Sequence, residues 1–365
     1  MVLCIYSIME NLYIIFGGAS VEHDVSIVTA LQTYNTLKHK YNITLIYCSK
    51  DNELYLTTKS TPADYIDKDA LIKDAKKVTL YNKGLYLVAK KKLRFLASVE
   101  RVINCCHGGI GENGSLSALL NFNNVANTSA SFSASAVCMD KHITKLVANY
   151  LNIPIVKYEV LNRTIKKDID VDMLGDNLIV KPCGLGSSIG VVRSDKEHLK
   201  ENIDVVLHLD DKVLIEREIS PLVEYNCAIV RDGDNLIVSQ IEQPINRSDI
   251  LSFEDKYINT DKTRILPADI SEEKQNIIYE YTKRIYQYLD LNGVVRIDYL
   301  YDTDQDVIYL NEINTIPGSM AYYLFEGLGI SYVKLMDILI KNAKVKPLQP
   351  YFNSNILTNL KEIGK

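Results

Sequence analysis

"VVRIDYLYDTDQDVIYLNEINTIPG", residues 294–318, reads as two strands around a polar turn and then breaks at Pro317-Gly318. In the first strand Arg296 and Asp298 flank Ile297; in the second Glu312 and Asn314 flank Ile313. Side chains two apart in a strand share a face. A connecting loop with an odd number of residues would therefore put all four polar groups on one side of the hairpin, where a cation, two carboxylates and an amide converge. Oxygen donors of this kind suit Mg²⁺, whereas zinc prefers nitrogen or sulfur. The alternative is a solvated sheet face with a surface ion pair. The apolar neighbours Val294, Val295, Ile297, Ile308 and Leu310 favour a lined cleft.

Working outward, helical spacing predicts a helix over 272–290 before this hairpin and another over 330–343 after it. Upstream, "EYNCAIV" (224–230) and "NLIVSQIEQ" (235–243) flank Asp232-Gly233-Asp234, a second hairpin signal. The polar stretch 246–266 reads as a long loop, of the kind that forms lids or stays disordered. "NLIVKPCGLGSSIGVVRS" (177–194) is strand, glycine-rich turn and strand; "KVLIERE" (212–218) is a further strand; 140–154 is a helix ended by Pro154. Near the amino end, "LYIIFGG" (12–18), "ITLIYCS" (43–49) and "RVINCCHGG" (101–109) read as buried strands, with helices after the first and over 115–122. Strand–helix alternation with glycines at strand ends predicts a parallel sheet flanked by helices, and ligands on such sheets gather at the carboxyl ends of the strands.

Three glycines in "KPCGLGSSIGV" (181–191) let backbone N–H groups approach an anion, and Lys181 at the base adds a charge. An ordinary turn is the other reading, and the Walker spacing is absent. "GIGENG" (109–114) matches G-x-G-x-x-G after a strand, yet "FSASAV" stands where a dinucleotide site would want an acidic residue. His107, just before it, points into a site or is a satisfied structural histidine. Glu22, at the handover from first strand to helix, either favours the helix dipole or meets a ligand's ammonium group.

Bulk properties set the frame. At 365 residues, two or three subdomains are expected. A net charge of −5 without a long basic run argues against nucleic-acid or anionic-membrane partners. The seven cysteines include no C-x-x-C pair, which predicts free thiols and a cytoplasmic location. "MVLCIYSIME" lacks the marks of a signal peptide, Met9 is a second candidate start, and no apolar run reaches a membrane-span length.

In order, "GGASVEHDVS", "HGGIGENG", "MDK", "KPCGLGSSIGV", "IERE", "RIDY" and "NEINTIPG" resemble the D-alanine:D-alanine ligases of the ATP-grasp superfamily, over about residues 11–343. The resemblance implies an N-terminal α/β substrate-binding domain (1–138), followed by an α+β ATP-grasp fold in two subdomains: a central one with the glycine-rich loop (139–222) and a C-terminal one with lid and metal site (223–347), before a tail (348–365). It implies that ATP phosphorylates one D-alanine carboxylate and that a second D-alanine's amine attacks the acyl phosphate, supplying peptidoglycan precursors. Asp298, Glu312 and Asn314 would hold two Mg²⁺ ions, with Mn²⁺ as a substitute. Lys141, Lys181, Ser187, Ser188 and Lys256 would contact the phosphates; Glu216, Arg217, Ile219 and Glu224 the adenine and ribose. Glu22, Ser187 and Tyr257 form the implied hydrogen-bonded set at the first substrate, and Tyr257 disfavours ester synthesis. Arg296 and the Gly318 N–H would stabilise an oxyanion, and His107 would lie near the substrate carboxylates. Tyr323-Leu324 fall where the family has a small hydroxyl residue and leucine for the acceptor's carboxylate, so a D-alanine:D-serine ligase is the second reading. Asn113 replaces a common aspartate. A homodimer is compatible with the family. A nicotinamide-dependent dehydrogenase and an inactive nucleotide-binding module are remoter readings.

Overall fold

A computed structural model gives the fold of residues 9–90, 92–164, 170–245 and 264–345, which form three sheets. The apolar runs near the amino end become β1 (Asn11–Gly17), β2 (Asn42–Cys48) and β7 (Arg101–Asn104). β1 lies between the other two and parallel to both, as the glycine-ended strands predict. The stretch between β2 and β7, 50–100, departs from a simple parallel sheet. It supplies β3 (Leu54–Thr57), β4 (Lys76–Tyr81), β5 (Gly84–Ala89) and β6 (Lys92–Ser98), an antiparallel meander that extends the sheet beyond β2. β6 is exposed almost throughout, so neither of its faces is buried although Leu93, Phe95 and Ala97 alternate along it. The short β8 (Ala126–Asn127) closes the other edge, giving the order β6-β5-β4-β3-β2-β1-β7-β8.

The second sheet is antiparallel in the order β11-β10-β12-β9, from β9 (Tyr158–Asn162), β10 (Leu178–Pro182), β11 (Val192–Ser194) and β12 (Lys212–Arg217). The glycine-rich turn joins β10 to β11. The helix before this sheet, Lys141–Tyr150, is capped by Asp140, which accepts the Ile143 N–H at 3.1 Å. It stops short of Pro154 because Asn152 takes a left-handed conformation, φ 53°, a common helix stop.

The third sheet contains β13 (Leu222–Asp232), β14 (Asn235–Pro244), β15 (Arg264–Ile265), β16 (Val295–Asp302) and β17 (Val307–Asn314), ordered β15-β14-β13-β16-β17. Its back face, including Cys227, Ile241, Ile297, Tyr299 and Ile313, packs on Ile278 and Ile285 of the helix Glu272–Tyr288. A second core joins the amino-terminal sheet to the carboxyl end of the chain: Leu12, Ile14 and Phe16 belong to one cluster with Met320, Phe325, Leu335 and Leu339.

Candidate active site

The front face of the third sheet carries two polar rows running across its strands. One row is Glu242, Asn226, Asp298 and Glu312, each the cross-strand partner of the next. The neighbouring row places Arg296 between Ala228 and Asn314. The β16–β17 loop is 303–306, between the paired residues Asp302 and Val307, and so has an even number of residues. Left alone, that parity would face Asp298 with Asn311 and turn Glu312 to the back. A register shift between Asp298 and Tyr299, with Asn311 as the extra residue, restores it. Arg296, Asp298, Glu312 and Asn314 therefore share one face. Arg296 grips Asp298 through Nε and Nη2 at 2.7 and 2.8 Å, and Asn314 Nδ2 donates to Asp298 Oδ2 at 3.0 Å. An amide turned half over presents its oxygen instead of its nitrogen. Two carboxylates and that amide then form an oxygen-donor set that fits Mg²⁺.

Across a cleft of ≈630 Å³ stands the second sheet. Lys181 Nζ reaches over to Asn311 Oδ1 at 3.2 Å, so the bulge residue itself links the two walls. Lys141 Nζ donates to the Leu185 carbonyl at 2.5 Å and lies 3.6 Å from Glu312 Oε2. Glu216 is buried between two ammonium groups, Lys145 and Lys181, each 2.5 Å from one of its oxygens. Burial opposes its ionisation, but the two lysines prevail and hold the carboxyl down at about 2. Glu216 is thus committed to lysines in this structure. Arg217 pairs with Asp302 at 2.8 Å, and Ile219 is buried in the cleft wall beside Glu224. Nine of the expected site residues line this one cleft: Lys141, Lys181, Ser188, Glu216, Arg217, Ile219, Glu224, Asp298 and Glu312.

The remaining residues meet around Arg296 and the glycine turn. Ser187 and Ser188 hold left-handed backbones, φ 54° and 58°, a strain that non-glycine residues keep where surrounding contacts impose it. The Ser187 hydroxyl donates to Glu22, joining the turn to the amino-terminal sheet. His107 has both ring nitrogens engaged: Nδ1 donates to the Ile316 carbonyl at 2.6 Å, and Nε2 accepts from Thr29 Oγ1 at 2.8 Å. Full burial lowers its pKa, in keeping with a neutral ring. Beside it, Glu112 accepts the N–H groups of Gly108, Thr315 and Ile316 at 2.9, 3.1 and 3.3 Å. These two residues fix the backbone just ahead of Pro317-Gly318. Ser319, Met320 and Ala321 then form a left-handed turn (φ 49°, 54°, 48°) that packs back on the sheet. Leu324 is wholly buried in the shared core, while Tyr323 donates its phenol to Glu242 Oε2 at 2.9 Å. Lys256 and Tyr257 lie outside the described residues.

With this geometry in view, comparison with known proteins is decisive. Residues 11–130 match the family described as D-ala D-ala ligase N-terminus, and residues 147–341 its C-terminus. The chain belongs to the D-alanine–D-alanine ligase family. The D-alanine–D-alanine ligase of Thermosipho africanus is 35% identical over 353 residues, covering 92% of this chain and 93% of that protein. Among solved structures, the D-alanine–D-alanine ligase of Helicobacter pylori superposes with a TM-score of 0.74 at 28% identity, covering 93% of this chain and all of that one. The VanG D-Ala:D-Ser ligase of Enterococcus faecalis does so at 0.77 and 25%, covering 92% and 99%. The fold is accordingly the ATP-grasp fold of this ligase family, and the enzyme class is an ATP-dependent ligase.

Four residues that the structure brings to the site stand outside the sequence-based expectations. Lys145 looks like any helix-surface lysine, and only the fold buries it against Glu216. Glu112 hides inside "GIGENG", whose glycines serve packing: a Cβ on Gly111 would lie 1.7 Å from the Cys106 carbonyl oxygen. Glu242 and Arg264 carry no motif at all. Counting two-residue alternation back from Ile241 would have put Glu242 on the polar face.

Proposed function

We propose that the chain joins two D-alanine molecules, with ATP cleaved to ADP and phosphate, to make a peptidoglycan precursor in the cytoplasm. The observation that carries this reading is the cleft in which Asp298 and Glu312 face Lys141 and Lys181. Within it Asp298, Glu312 and Asn314 would hold two Mg²⁺ ions, or Mn²⁺ in their place. Bound there, the metal supplies positive charge to the nucleotide's phosphates. The two lysines add theirs, and the Ser187-Ser188 turn offers backbone N–H groups to the same oxygens. Arg217 and Ile219 through their backbones, with Glu224, receive adenine and ribose; Glu216 contributes by fixing Lys145 and Lys181.

A carboxylate is a poor electrophile, so its oxygen first attacks the γ-phosphorus and the bond to ADP breaks. The amine of the second substrate then attacks the carbonyl carbon, gives up a proton, and phosphate leaves. Glu22 anchors the first ammonium group through charge, with Ser187 holding the carboxylate in place. Arg296 and the Gly318 N–H stabilise the oxyanion of the tetrahedral state, which benefits from donors set in advance. His107 and Glu112 keep Gly318 at the required position. We further assign residues 1–138 to substrate binding and 139–222 and 223–347 to the two halves of the nucleotide grip, with a homodimer as the assembly.

D-serine is the second acceptor to consider, because Tyr323 fills a position where the resemblance implies a small hydroxyl residue. The deciding assay follows phosphate release with ATP and Mg²⁺ for D-alanine alone, D-alanine with D-serine, and D-alanine with D-lactate, identifying each product. D-alanyl-D-alanine from D-alanine alone is expected. A dipeptide only from the D-serine mixture would transfer the assignment.

A further inference from the structure

Along the polar row of the third sheet, the nucleotide cleft occupies the Glu312–Asp298 end. The other end, two strands and so about 10 Å away, is a charged cluster of Glu242, Arg264 and Tyr323. Arg264 Nη1 lies 3.3 Å from Glu242 Oε1, and its guanidinium stacks on the Tyr323 ring with its carbon 4.4 Å from the ring centre. Glu242 Oε2 accepts from the Tyr323 hydroxyl at 2.9 Å and from Asn226 Nδ2 at 3.1 Å. Glu242 is deeply buried, whereas the Arg264 side chain keeps 28% of its surface open.

The amine that adds to the acyl carbon belongs to an amino acid whose own carboxylate is never phosphorylated and keeps its charge, and since the Glu312–Asp298 end of the row serves the nucleotide, the Arg264 end is the one left to receive it. A carboxylate drawn into such a site needs a charged or hydrogen-bonding partner. Tyr323 has a single O–H to donate, and it goes to Glu242. Burial and the Glu242 carboxylate keep that phenol protonated. Arg296 spends Nε and Nη2 on Asp298. Arg264 has a five-donor fork, and its contact with Glu242 is longer than the roughly 2.7–2.9 Å of a strong charged bond.

We infer that Arg264, steadied by Glu242 and the Tyr323 ring, receives the carboxylate of the second amino acid and so determines which acceptors this enzyme takes. The inference rests on the ligase reading above and deepens it. Its test uses the full-length enzyme with D-alanine or D-alaninamide as acceptor, the latter lacking the negative charge. Arg264→Met is expected to raise KM for the second D-alanine roughly 10- to 100-fold, the range for a lost charged hydrogen bond. KM for ATP and for the first D-alanine stay within about twofold, and the preference for D-alanine over D-alaninamide collapses. A merely structural arginine would weaken both acceptors alike. Arg264→Gln, polar and of similar reach, is read in the same way should the methionine variant not fold. An unchanged second-site KM, or an unchanged preference for the charged acceptor, overturns the inference. Absence of D-alanyl-D-alanine from the wild-type enzyme would instead overturn the ligase reading itself.

Discussion

Glu112 and Glu216 are both buried carboxyl groups, and their surroundings push them in opposite directions. Glu112 meets N–H dipoles and the nearby charge of Glu22. Burial, then Glu22, outweigh those dipoles and raise its pKa from 4.5 to about 8. A group whose pKa rises on folding lends stability that is complete below its unfolded value and is lost as pH climbs through its folded one. Denaturant unfolding between pH 5 and 8.5 should therefore show the wild type losing stability relative to Glu112→Gln, which cannot ionise; parallel curves would contradict the assignment. Glu216 has two lysines and stays charged. Removing the shared partner of buried charges leaves them uncompensated, so Glu216→Gln, which strands Lys145 and Lys181, should cost about 3–5 kcal/mol in urea unfolding. Adding Lys145→Met to that variant removes one of the two stranded charges and should restore part of the loss. If the double variant is as unstable as the sum of the two singles, the Lys145–Glu216 coupling is not real.

The β16–β17 hairpin separates stability from chemistry on its two faces. Ile297 is fully buried against the helix Glu272–Tyr288, while Asp298, the next residue, faces the cleft. Ile297→Ala leaves a cavity and should cost about 2–5 kcal/mol, with phosphate release per folded molecule near the wild-type value. Glu312→Gln, on the same face as Asp298 and loosely paired with Lys141 at 3.6 Å, should do the reverse, unfolding close to the wild type while its turnover falls by about 100-fold or more, beyond the usual cost of losing a metal's outer partner. Similar losses of both properties in both variants would refute the two-faced reading. This hairpin also marks how far the sequence could be read. The alternation around Ile297 and Ile313 is local, so strands, faces and clustered polar residues were visible in it. The bulge at Asn311 was not, because loop parity and register depend on backbone geometry with no side-chain signature. The meander 54–98 was not legible either, since its strands are short and its outer one, β6, alternates Leu93, Phe95 and Ala97 with other residues yet buries neither face. Lys145 stayed hidden because burial of a lysine comes from a partner, Glu216, that lies 71 positions along the chain (216 − 145).

At the scale of the whole molecule, the amino-terminal sheet and the segment 316–340 hold each other together. One apolar cluster contains Leu12, Ile14 and Phe16 of β1 as well as Met320, Phe325, Leu335 and Leu339 near the carboxyl end. Polar contacts cross the same seam: Thr33 and Tyr332 share a buried hydrogen bond at 2.7 Å, Tyr41 donates to Asp337 at 2.8 Å, and Lys40 pairs with Asp337 at 2.5 Å. The amino-terminal family match ends at residue 130, which suggests a unit able to stand alone. The core argues otherwise, because a fragment ending there would expose the helix His23–Leu37 and the β1 face that residues 316–340 cover. Apolar area of that kind drives association when it is left open to water. A fragment of residues 9–130 should therefore bind a hydrophobic dye strongly and run as aggregates in size-exclusion chromatography, whereas the intact chain should unfold with its two ends melting together. A monomeric fragment with a sharp thermal transition and little dye binding would mean that the shared core contributes little to the amino-terminal sheet. Gly318 would then owe its position to His107 and Glu112 alone.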